Sequence, residues 1–121
     1  MPQVLLVDDD PAMLKLLEVN FVLDGFEVRT APSGEEALAL VVVARPHAVV
    51  LDVTLPGIDG HEVARRLRGD PATAGVALVF LSGRSPADLG GYAAEDVPYV
   101  TKPFDPADLV ALVRSLVGDA A

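Results

Sequence analysis

Five polar residues stand just past the ends of apolar runs, and together their types could handle a phosphoryl group. Asp8 and Asp9 follow Gln3-Val4-Leu5-Leu6-Val7, and Asp52 follows Ala48-Val49-Val50-Leu51. Ser82 follows Val76-Ala77-Leu78-Val79-Phe80-Leu81, and Lys102 follows Tyr99-Val100-Thr101. Three carboxylates a few ångströms apart repel one another and push at least one pKa up. A hard divalent cation relieves that repulsion, and an oxygen-only donor set favours Mg²⁺, with Mn²⁺ as the other candidate. A lysine opposite the acids adds a fixed positive charge, and a serine offers a hydroxyl donor. Phosphoryl transfer relies on such positioning and charge neutralisation. A carboxylate can also be the nucleophile and become an acyl phosphate. Asp52 falls between the acid pair and the Ser82–Lys102 pair and is the best candidate for that role.

The apolar runs read as buried strands, and helical segments alternate with them. Pro11 suits the first turn of a helix whose apolar spacing is Met13, Leu14, Leu17 and Phe21, with Gly25 as its terminator. Glu27-Val28-Arg29-Thr30 is a more polar strand. Ser33 with Glu36 is a capping-box pattern for a second helix through about Val43. Val63 and Leu67 mark a third helix, ending by Gly69 and Pro71. Ser85-Pro86 opens a fourth, which Gly90-Gly91 weakens. Asp105-Pro106-Ala107-Asp108 caps a fifth, with a stripe of Leu109, Leu112, Val113 and Leu116 before Gly118.

Five strand–helix alternations imply an α/β fold, a parallel sheet covered on both faces. The first, third and fourth strands are apolar throughout and belong at the centre. Glu27, Arg29 and Thr101 place the second and fifth at the edges, where Pro98 also fits. The predicted order is 2-1-3-4-5, a doubly wound, flavodoxin-like five-stranded sheet whose strands all end on one side. Its ligand site lies between the ends of strands one and three, where the scattered polar residues converge.

Length and composition set the outer bounds. A chain of 121 residues is predicted to be one domain over 1–121, large enough for a core without staples. There is no cysteine, so no disulfide, thiolate metal site or cysteine nucleophile exists. The longest apolar run, Ala37 to Ala44, is too short to span a bilayer, and MPQVLLVDDD lacks the basic start of a signal peptide. A cytoplasmic protein is expected. The net charge of −9 argues against binding nucleic acid or anionic membranes through this domain.

In order along the chain stand LLVDDDP, VVLDVTLPGIDG, VFLSG and YVTKPF. Taken together, at this spacing, they make the chain resemble the receiver domain of two-component response regulators, including the chemotaxis regulators, over almost its whole length. The resemblance implies Mg²⁺ bound by Asp8, Asp9, Asp52 and the backbone carbonyl of Thr54. It implies Asp52 as phosphoacceptor, Lys102 as a contact to the phosphoryl oxygens, and a cis Lys102–Pro103 bond. Ser82 and Tyr99 would form the switch pair, and Thr54 and Arg84 would tune dephosphorylation. The donor would be a sensor histidine kinase or a histidine phosphotransfer protein. The readout would be a changed surface of the fourth helix, fifth strand and fifth helix, offered to an output partner that the sequence does not name. A phosphorylation-dependent homodimer is a further partner expectation. The protein would be a switch, not an enzyme, apart from its own phosphotransfer and autodephosphorylation.

Single residues have blander readings. Asp10 and Asp59 read as helix caps, Phe104 as packing, and His47 as surface; neither His47 nor His61 has a nearby ligand set. The chain departs from the family pattern by Ser82 and Gly83 where threonine and alanine are common. The Ser82–Lys102 interval is about two residues shorter than usual in the family, and Glu95-Asp96 replaces a common Gly-Ala. A short, partly non-helical fourth helix over Ser85 to Ala94 is therefore expected, which speaks against a dimer built on that helix. No effector domain follows the fifth helix in this sequence, which would suit a stand-alone receiver or one excised from a longer regulator. Two alternatives remain. A haloacid-dehalogenase-type phosphatase would read Asp8-Asp9-Asp10 as its D-x-D start with Asp8 as nucleophile, though the chain is short for a cap. A pseudo-receiver would bind partners without taking phosphate.

Overall fold

In a computed structural model, residues 1–83 and 97–118 are described. The elements are β1 (Gln3–Val7), α1 (Pro11–Leu23), β2 (Glu27–Ala31), α2 (Gly34–Val43), β3 (Ala48–Asp52), α3 (Gly60–Gly69), β4 (Ala77–Ser82), β5 (Tyr99–Thr101) and α4 (Pro106–Val117). α4 is the fifth helix of the sequence reading. The fourth, over Ser85 to Ala94, and Arg84 with it, lie outside the described residues.

The five strands form one parallel sheet in the order β2-β1-β3-β4-β5. The doubly wound order read from strand polarity is therefore the observed one. Alternation along the strands sorts the core into two layers. Leu5, Val7, Val49, Leu51, Leu78 and Phe80 face α2 and α3, where Ala37, Val41, Val63 and Leu67 are buried. Val4, Leu6, Val50, Val79 and Leu81 face α1 and α4, against Leu17, Phe21, Leu109 and Val113. β3 is buried at every position, as a strand covered on both faces must be, whereas Glu27, Arg29 and Thr30 of edge strand β2 are exposed.

Local chemistry sets the helix starts. Asp10, Ser33, Asp59 and Asp105 each accept a backbone N–H of the first turn, satisfying a donor the helix cannot. Arg114 of α4 donates to the Asp24 carboxylate at 2.7 Å and lies over the Phe26 ring, fastening α4 to the end of α1.

Three readings change in detail. Asp52 and Ser82 are the last residues of their strands rather than the first beyond them, because the parallel ladders extend to include them. Val110 is buried on α4, while Leu116 in its last turn is 41% exposed. His47 is not a surface residue: it is half-buried, and its Nδ1 accepts the Gln3 N–H at 2.9 Å, closing the start of the β1–β3 ladder.

Candidate functional site

At the carboxyl ends of β1 and β3 the chain leaves the sheet by two similar turns. The Asp8 N–H still donates to Ala31 of β2, but its Oδ1 accepts the Asp10 N–H at 2.9 Å and bends the chain toward α1. Asp52 Oδ1 accepts the Thr54 N–H at 3.1 Å and starts the loop to α3. Both are side-chain-to-backbone turns of the kind Asp favours. Each fixes one carboxylate oxygen and leaves the other to face the space between the strands.

The loop after β3 returns to its own start. Val53 donates to Leu81, and Gly60 donates to Val53 at 3.0 Å. A Cβ at Gly60 would sit 2.4 Å from the Asp52 carbonyl oxygen, so only glycine fits. The outer side of the loop is held by α2. Ile58 donates to Glu35 Oε2 at 3.3 Å, and Gly57 turns with φ +72°, where a side chain would be strained and would meet Glu35.

From the other side of the sheet, the Lys102 N–H donates to the Ser82 carbonyl at 2.8 Å, extending the β4–β5 ladder past Thr101. The following Lys102–Pro103 peptide is cis. The lysine side chain crosses to the acids, with Nζ 3.1 Å from Asp52 Oδ2 and 3.5 Å from Asp8 Oδ2. Carboxylate oxygens of Asp8, Asp9 and Asp52 lie within 4.8 Å of one another. Asp8 and Asp52 are buried, at 1% and 6% exposure, and Asp9 is exposed. Ser82, 4% exposed, ends β4 beside them.

The electrostatics follow from this crowding. Burial pushes the Asp8 carboxyl above its ordinary range, aided by the Asp52 charge, while the Asp10 N–H and Lys102 oppose the rise. Burial of the Lys102 ammonium works against its charge, but the Asp52 hydrogen bond and the two carboxylates outweigh it, so its pKa is raised. Among the described residues, three carboxylates face one ammonium, which leaves the cluster net negative. The donors are all oxygen and one acid stands open to solvent, so these residues fit a hard divalent cation.

Sequence comparison identifies the arrangement. Residues 4–114 match the response regulator receiver domain. The chain belongs to the response regulator receiver family. It is 43% identical over 118 residues to the transcriptional regulatory protein PrrA of Mycobacterium tuberculosis, covering 96% of this chain and 50% of that protein. It is 37% identical over 119 residues to the transcriptional regulator RpaA of Synechocystis, covering 97% of this chain and 49% of the relative. The receiver thus spans about half the length of these curated relatives. Among solved structures, the chemotaxis response regulator CheY4 of Vibrio cholerae superposes with a TM-score of 0.87 at 26% identity, over 96% of this chain and 98% of that one. Receiver domains of this family are signal transducers of two-component systems, and Mg²⁺ at the acid cluster is typical of them. No described helix is long and apolar enough to cross a membrane.

The receiver fold brings Asp8, Asp9, Asp52 and Lys102 into one cluster, with Ser82 at the end of the adjoining strand and Thr54 donating to the central carboxylate. Tyr99 stands farther along the sheet edge, opposite Phe80. Its hydroxyl lies 2.6 Å from His61 Nε2, a contact that no spacing in the sequence announces. Gly60 carried a partial signal, because Asp59-Gly60 reads as a turn, but nothing local showed that the Asp52 and Val53 backbone leaves no room for a side chain there. The Glu35 contact to the loop was equally silent.

Proposed function

We propose that this receiver accepts a phosphoryl group on Asp52 and so switches a partner-binding surface. The observation that carries the reading is the placement of Asp52, with one oxygen against Lys102 at 3.1 Å and acids Asp8 and Asp9 alongside. The donor is a phosphohistidine of a sensor kinase or phosphotransfer protein. An Asp52 oxygen attacks phosphorus, the P–N bond breaks, the imidazole leaves with its electron pair and takes a proton, and an acyl phosphate remains. Lys102 is positioned to move from the carboxylate to a phosphoryl oxygen, and the Ser82 hydroxyl to donate to another. Asp8, Asp9, Asp52 and the Thr54 carbonyl would hold Mg²⁺, which when bound neutralises charge on the acids and the transferring group. Thr54 and Arg84 occupy the positions that tune dephosphorylation in the family and would set the lifetime of the acyl phosphate. Ser82 and Tyr99 then carry the change to the β5–α4 edge and the segment before it, where an output partner or a second phosphorylated copy docks. The domain works in the cytoplasm and has no separate substrate of its own.

The family match leaves the dehalogenase-type and pseudo-receiver alternatives without support of their own. The deciding experiment is intact mass after incubation with Mg²⁺ and acetyl phosphate, for wild type and Asp52→Asn. A gain of one phosphoryl group in wild type alone is expected. A gain that survives Asp52→Asn moves the nucleophile, to Asp8 first. No gain in wild type, with no binding of beryllofluoride, returns the pseudo-receiver.

A further inference from the structure

Tyr99 sits in a small aromatic cluster that joins the sheet edge to the start of α3. Its ring centroid is 4.9 Å from that of Phe80, its register partner on β4. The His61 ring is also 4.9 Å from Phe80 and 6.0 Å from the Tyr99 ring, and His61 Nε2 shares a hydrogen bond of 2.6 Å with the Tyr99 hydroxyl. Both His61 and Tyr99 are half-buried, so water competes only in part for their hydrogen bond.

What makes His61 informative is where its backbone is anchored. It follows Gly60, whose N–H donates to the Val53 carbonyl and where an added Cβ would come within 2.4 Å of the Asp52 carbonyl oxygen. Asp59 caps the same turn through the Glu62 N–H at 2.9 Å. The imidazole is therefore carried on a turn seated on the end of β3 and cannot drift far from Asp52. Tyr99, by contrast, stands on a three-residue strand at the edge of the sheet, paired only with β4 among the described strands.

We infer that His61 is a positioning residue for the switch: it grips the Tyr99 hydroxyl and holds the ring inward on Phe80, so that the inward state of Tyr99 is coupled to phosphoryl-group binding at Asp52. The inference rests on Tyr99 acting as the switch aromatic, as proposed above. A ligand shifts a two-state element only by the contacts it favours in one state. If the phosphoryl state favours inward Tyr99, a hydrogen bond made only by the inward ring contributes to phosphoryl affinity, although His61 touches no phosphoryl oxygen. One neutral hydrogen bond corresponds to roughly 2- to 10-fold in an equilibrium constant.

The test uses the whole domain with Tyr92→Phe, which leaves Tyr99 as the only tyrosine. His61→Leu removes the bond and keeps bulk, His61→Gln restores a polar partner, and Tyr99→Phe removes the hydroxyl. Two readouts are taken: nuclear Overhauser contacts of the Tyr99 ring to Phe80 without ligand, and the Kd of beryllofluoride with Mg²⁺. The expected result is loss of the ring contact and a roughly 3- to 10-fold weaker Kd in His61→Leu. Partial recovery should appear in His61→Gln, and no further loss should follow when His61→Leu is added to Tyr99→Phe. If wild type binds beryllofluoride and His61→Leu binds it equally well, the coupling is overturned while Asp52 remains the acceptor. Retained ring contacts in His61→Leu overturn the grip itself. If wild type does not bind beryllofluoride, the phosphoacceptor reading fails and the coupling falls with it.

Discussion

Lys102 and Asp52 are fifty positions apart in the chain, yet the ammonium lies 3.1 Å from the carboxylate, closer than it comes to Asp8 at 3.5 Å. The lysine thus does two jobs at once. Without a phosphoryl group it offsets the repulsion of the acid cluster, and it stands where a phosphoryl group on Asp52 would meet it.

Replacing Lys102 separates those jobs. In Lys102→Ala, three carboxylates lose the one near counter-charge among the described residues, so the metal-free domain should melt a few degrees lower. Mg²⁺ should bind at least about threefold more tightly, because the ammonium no longer competes with the cation for the same field. Phosphorylation by acetyl phosphate should slow by roughly 10²-fold, the usual order for losing one preorganised electrostatic contact. Thermal melts with and without Mg²⁺, and a mass-based time course, read all three. Weaker Mg²⁺ binding would show that Lys102 supports the cation site rather than opposing it.

The cation itself is tested through Asp9. It is the exposed member of the three acids, so its loss should cost little in folding. Mg²⁺ at about 100 times its Kd should stabilise wild type by roughly 2.7 kcal/mol, since it binds the native state alone. Asp9→Ala should fold normally and lose most of that rise. An undiminished rise would place the ion elsewhere.

The fold was legible because hydrophobic pattern and polarity are local records of burial. Five apolar or mixed runs gave the strands, and charge on Glu27 and Arg29 gave the edges. The acids and Lys102 were legible for a related reason: a parallel sheet must deliver all its strand ends to one side, so residues there converge whatever their separation. The His61–Tyr99 bond was not legible, since it joins a helix start to an edge strand across thirty-eight positions with no pattern to mark it. His47 was misread as surface for a similar reason. Its partner is a backbone N–H of the neighbouring strand, and a side chain's bond to a remote main chain leaves no trace in composition.

Gly60 offers a direct test of how tightly the α3 start is seated on the phosphoacceptor strand. A methyl group there would meet backbone atoms of Asp52 and Val53, which cannot swing aside as a side-chain tip can. Gly60→Ala should destabilise the domain by about 3 kcal/mol or more, at or beyond the top of the usual overpacking range. In protein that still folds, phosphorylation should slow as Asp52 is displaced. Gly69, at the other end of the same helix, meets nothing within 4 Å of an added Cβ. Gly69→Ala should therefore be neutral or stabilising by up to about 1 kcal/mol. Denaturant unfolding of both variants makes the comparison, and equal effects would mean that the Gly60 contact is soft.

The raised pKa of Asp8 gives the metal-free domain a pH dependence with a definite sign. Between the ordinary 3.8 and the raised folded value, the native state holds a proton that the unfolded chain has lost. Stability from this group therefore falls as pH rises through that window, and above it the full cost of a buried charge is present. Lys102, also raised, has the same sign in a far higher window: its contribution is complete below 10.5 and is lost only as pH rises through its own raised value. It is constant across the window in which Asp8 titrates. Asp8→Asn keeps an oxygen to accept the Asp10 N–H and removes the charge. Without divalent cation, it should melt higher than wild type at pH 7, and the gap should close as pH falls toward 4. Melting curves from pH 4 to 8 in chelator check this, and a gap that widens on acidification would mean that Asp8 is held by its partners more strongly than burial opposes it.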